Sequence, residues 1–134
     1  MRVTLAQSAG FCYGVRRAVE LARQTAAETG RCWMLGDLIH NVHVVEELKS
    51  IGIQKAESVE ALQPGDTVII RSHGESKQIL DCLKARGVRC VDATCPNVRR
   101  IQILAAQAEE EGRTPVIIGD AAHPEVAGIA SWCG

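Results

Sequence analysis

Two cysteines and three histidines occupy the same kind of place along this chain. Cys12, His40, His73, Cys95 and His123 each follow a short apolar run and precede a helical pattern, in the stretches 5–15, 36–41, 68–76, 88–96 and 116–125. In an open parallel sheet such strand-to-helix turns gather at the carboxyl ends of the strands, where ligands bind. A thiolate is a soft metal ligand, and a helix amino terminus beside it favours its negative charge. An imidazole at such a terminus adds a hydrogen-bond donor or a positive charge to the free amides. Three of these termini facing one volume would suit a multiply charged anion such as a diphosphate.

Each residue also has a plainer reading. A lone cysteine is most often a small buried apolar residue, and a lone histidine often caps its own helix. The second reading weakens for three histidines in equivalent places. Cys32, Cys82 and Cys90 are assigned to the buried class, and His43, inside a helical pattern, to the surface. Glu125 follows His123 by two residues and would face the same pocket, where a carboxyl group could deliver protons. The helix terminus favours its ionised form, whereas a nearby negative ligand would raise its pKa. An ordinary first-turn glutamate fits the sequence equally well. Local Cys-x-x-Cys pairs, the usual zinc signature, are absent.

The elements that would position these residues alternate in βα fashion. Apolar runs predict strands at Val3–Ala6, Cys32–Leu35, near Ile53, at Thr67–Ile70, Val88–Val91 and Pro115–Ile118. Val15, Ala18, Val19, Ala22 and Ala26 follow helical spacing up to Gly30. Further helices are expected from Asn41 to Leu48, Glu75 to Arg86, Pro96 to Glu111, and from His123 onward. Pro96 suits a first helical turn, with Thr94 as the expected cap. The reading is α/β with parallel-sheet βα units. Residues 1–92 would form one complete unit carrying Cys12, His40 and His73. Residues 93–134 would begin a second, truncated unit carrying Cys95, His123 and Glu125, as in part of something larger.

Composition narrows the field. The 134 residues carry 15 basic and 16 acidic side chains, a net charge of −1, so no long-range field draws nucleic acid or a membrane. Apolar residues make up 46% of the chain and aromatic residues 3%, which predicts an aliphatic core. No stretch reads as a signal peptide or membrane span, so a cytoplasmic location with reduced thiols is expected. Six cysteines there point to metal or redox chemistry before disulfides.

With these residues in view, the chain resembles the 4-hydroxy-3-methylbut-2-enyl diphosphate reductases, iron–sulfur enzymes that end the non-mevalonate isoprenoid route. The matching stretches are Gly10-Phe11-Cys12-Tyr13-Gly14-Val15, His40-Asn41, Ser72-His73-Gly74, Asp92-Ala93-Thr94-Cys95-Pro96 and His123-Pro124-Glu125-Val126, in family order. The resemblance implies three similar α/β units around a central 4Fe-4S cluster, each supplying one cysteine. It makes Cys12 and Cys95 two of the three ligands, His40, His73 and His123 the holders of the substrate diphosphate, and Glu125 the proton donor. Reduced ferredoxin or flavodoxin is the implied electron donor, and isopentenyl and dimethylallyl diphosphates are the implied products. The chain is less than half the usual length. The third cysteine and further diphosphate-binding residues are expected beyond residue 134, and Cys133 stands in a different context. The 134 residues alone are expected to be inactive. Two other readings of the residues remain open: a non-catalytic module binding zinc through Cys12, Cys95 and a histidine, and a structural unit without a ligand.

Overall fold

Buried residues of the strands divide between two apolar clusters, one on each face of a single sheet. A computed structural model describes all 134 residues. In chain order the elements are α1 (Tyr13–Thr29), β1 (Cys32–Leu35), α2 (Val42–Ser50), β2 (Ile53–Ala56), β3 (Thr67–Ile70), α3 (Lys77–Ala85), β4 (Arg89–Asp92), α4 (Pro96–Glu110) and α5 (Pro124–Ala130). A single 3-10 turn, Val59–Ala61, lies between β2 and β3. The four strands form one parallel sheet in the order β2-β1-β3-β4, with Met34 beside Ile69 and Ile69 beside Val91.

One face packs Cys32, Met34, Ile53 and Ile69 against Ala18, Val19, Ala22 and Ala26 of α1 and Val45 and Leu48 of α2. The other packs Leu35, Ala56, Val68 and Ile70 against Val59, Leu62 and Leu83. Successive strand residues point to opposite faces, so the apolar runs of β1 and β3 feed both layers. Small alanines at helical spacing let α1 lie close to the sheet. It ends at Gly30, whose φ of 68° closes the helix as its N–H donates to Ala26 O.

Five expectations are corrected. Val3–Ala6 and Pro115–Ile118 form no strands, and Val3, Leu5, Val116 and Ile118 are at least 80% exposed. A strand exists through its ladder, and no neighbour in this chain pairs with either run. Thr94 does not cap α4: Cys95 holds that position, while the Thr94 amide donates to Asp92 Oδ1 at 2.9 Å. Cys82 and Cys90 are exposed, and only Cys32 of the three is buried. Cys82 lies off the α3 face that buries Leu83, and Cys90 sits on an edge strand. His43 is exposed, as expected.

Candidate functional site

The strand order changes direction between β1 and β3, since β1 is followed in the sheet by β2 on one side and β3 on the other. Connections leaving the two strands toward opposite sides open a crevice at their carboxyl ends. The turn after β1 carries His40 and the turn after β3 carries His73. Their ring centroids stand 4.3 Å apart, tilted by 40°. His123, which heads α5, comes from outside the sheet and brings its ring to 6.0 Å from each of the others. The three imidazoles therefore converge.

Each ring is held differently. Asn41 caps α2 by accepting from the Val44 amide at 3.1 Å, which fixes the end of the His40 turn. His123 Nδ1 accepts from the Glu125 amide at 3.2 Å. That bond requires an unprotonated Nδ1, so the neutral ring carries its proton on Nε2. His123 thus caps its own helix and also meets the other two histidines. His73 is partly buried, and its Nδ1 lies out of solvent without a hydrogen-bond partner. Burial, followed by the nearby His40, Arg71 and His123 charges, lowers its pKa to about 4. Arg71 is paired with the buried carboxylate of Glu75 at 2.9 Å.

Cys12 and Cys95 take the N-cap positions of α1 and α4, and neither helix has a side-chain cap. Both thiols are free. The two turns meet at Gly14: a Cβ there would lie 2.5 Å from Cys95 Sγ, so only glycine leaves room for that sulfur against the first turn of α1. Free thiols at uncapped helix amino termini fit thiolate ligation. No three His, Cys, Asp or Glu side chains stand together as a metal site.

Glu125 occupies the first turn of α5 and is partly buried, and its carboxylate enters no ion pair. A cavity of about 200 Å³ joins His40, Ser72 and His73 to Phe11, Val15 and Ile39. A hollow of about 470 Å³ adjoins it and shares Ile39, His40 and Asn41, while another of about 400 Å³ lies away from the histidines, beside Arg71 and Glu75. The smaller cavity, which takes in both His40 and His73, combines polar and apolar walls.

The LytB protein family model matches residues 3–134. The chain belongs to the LytB protein family. Within that family, 4-hydroxy-3-methylbut-2-enyl diphosphate reductase of Dehalococcoides mccartyi strain 195 is 44% identical over 134 residues, covering 100% of this chain and 47% of the relative. The enzyme of the same name from Caldanaerobacter subterraneus is 41% identical over 137 residues, covering 99% and 48%. Two solved LytB-type structures superpose well. One, (E)-4-hydroxy-3-methyl-but-2-enyl diphosphate reductase, described as the terminal enzyme of the non-mevalonate pathway, has a TM-score of 0.85, is 40% identical, and is covered over 46% of its length by 97% of this chain. The other, E-1-hydroxy-2-methyl-but-2-enyl-4-diphosphate reductase from Plasmodium falciparum, has a TM-score of 0.91 at 28% identity, with 94% and 40% covered. The chain spans about half the length of the curated LytB relatives it matches.

Proposed function

We propose that this chain is the amino-terminal part of an iron–sulfur oxidoreductase that removes the allylic hydroxyl of 4-hydroxy-3-methylbut-2-enyl diphosphate, giving isopentenyl and dimethylallyl diphosphates. The observation that carries the proposal is the meeting of three imidazoles within 6.0 Å at the β1/β3 crevice. His40, His73 and His123 bind the diphosphate, with Nε2–H of His123 a ready donor. Neutral His73 either donates or takes up a proton as the anion arrives. Glu125, placed by the same helix start as His123, supplies a proton to the substrate.

Cys12 and Cys95 hold two corners of a 4Fe-4S cluster, the third ligand coming from beyond these residues. Such a cluster supplies electrons and a Lewis-acidic iron. The division into a first α/β unit over residues 1–92 and a second beginning at 93 belongs to the same reading, as does a third unit closing the site. A cytoplasmic location and reduced ferredoxin or flavodoxin as electron source complete it. Membership of the LytB family and the names of the relatives support the reductase reading itself.

Calorimetric titration of the 134-residue chain with inorganic diphosphate tests the anion site. Hydrogen bonds to charged groups contribute about 1.5–3 kcal/mol, so His40→Ala and His123→Ala should each weaken binding by roughly tenfold or more. Unchanged affinity in both variants would remove the reading.

A further inference from the structure

Arg17 lies three residues after Gly14 and therefore on the same face of α1. It is partly buried, and its guanidinium reaches across to the turn after β4, where Nη1 donates to Thr94 O at 3.2 Å and Nη2 to Asp92 O at 3.4 Å. The backbone of that turn is tied down on its other side as well. Ala93 N donates to Ile70 O at 3.1 Å, Thr94 N to Asp92 Oδ1 at 2.9 Å, and Cys95 N to Ser72 O at 2.8 Å. The helix that Cys12 leads thus touches the Cys95 turn twice, through the missing side chain of Gly14 and through the fork of Arg17. A planar fork bonded to two carbonyls fixes orientation in a way that a single-point ammonium does not.

We infer that Arg17 is a positioning residue that sets the Cys95 sulfur relative to Cys12, by holding the Asp92 and Thr94 carbonyls against α1. The inference rests on Cys12 and Cys95 being thiolate metal ligands. Arg17 touches neither sulfur and acts through the backbone. Outer residues that orient ligands typically change metal affinity by about 10–100-fold when removed, and this sets the size of the effect to look for.

The test uses cadmium(II), a soft ion that favours thiolates, and the 134-residue chain with Cys32→Ala, Cys82→Ser, Cys90→Ser and Cys133→Ser. Only Cys12 and Cys95 then contribute to the cadmium–thiolate charge-transfer absorbance. Arg17→Ala should weaken cadmium binding roughly tenfold or more, and Arg17→Lys should restore part of the loss. Val59→Ala, a destabilising change on the far face of the sheet, should leave the affinity alone. Equal affinity in Arg17→Ala and its parent, or an equal loss in Val59→Ala, overturns the assignment. A parent indifferent to Cys12→Ser and Cys95→Ser would instead defeat the ligand reading. Arg17 would then be judged by hydrogen exchange of the Cys95 amide, which the clamp requires to quicken in Arg17→Ala and whose constancy would refute it.

Discussion

At pH 7 the His73 ring is neutral, because burial and the adjacent His40, Arg71 and His123 hold its pKa at about 4. The free side chain titrates near 6.5. Between those values an unfolded chain takes up a proton that the folded chain refuses. This group therefore lowers stability as pH falls from about 6.5 to about 4, and its effect levels off below that. Urea denaturation across this window should show the decline, and His73→Gln should flatten its share of it. A bound diphosphate acts in the opposite direction, since a nearby anion favours imidazolium. Proton uptake on diphosphate binding, seen as a buffer-dependent heat, is the expected sign, and a heat independent of buffer would contradict it. Gly14 makes a second prediction at this scale. Its substitution by alanine forces a Cβ to within 2.5 Å of Cys95 Sγ, and overpacking of this kind costs typically about 1–3 kcal/mol. Chemical denaturation of Gly14→Ala checks the cost, and the Cys95 nuclear resonances check the displacement.

The helices reach the site through their first turns, and caps decide how firmly those turns are held. Removing the Asn41 side chain frees the Val44 amide at the start of α2 and should cost about 1 kcal/mol. Thermal melting of Asn41→Ala would show the loss, accompanied by a changed His40 ring environment. The central elements were readable because β1 and β3 are buried on both faces and so appear as short unbroken apolar runs. The apolar spacing of α1 was equally plain. Val3–Ala6 and Pro115–Ile118 look the same in sequence, but pairing is a property of neighbours and not of the run itself. The turn positions of Cys12, His40, His73, Cys95 and His123 could be read from the punctuation between elements. Arg17 could not: an arginine on an amphipathic helix resembles a solvated charge until the fold carries the Asp92–Thr94 carbonyls to it. Gly14 stands in a matching stretch of the sequence, but nothing local marks it as the space for a sulfur contributed by a turn far along the chain.

Across the whole molecule, the strand order converts separate local signals into one site. Ile69, fully buried in the central strand β3, packs against the α1 side of the sheet and stands beside both Met34 and Val91. Ile69→Ala should cost about 2–5 kcal/mol in an unfolding titration, and it should disturb the His40–His73 contact because both turns spring from this layer. His40 and His73 are anchored by the sheet, whereas His123 arrives on a short helix beside it. That helix is tied back where Ser131 Oγ accepts the Lys77 amide at 3.1 Å. An anion grasped by all three rings would act as a strut between the turns that leave the sheet and α5, which otherwise packs chiefly on α4. Its arrival should slow amide exchange throughout Pro124–Ala130, in proportion to the binding free energy, and leave the strands almost as they were.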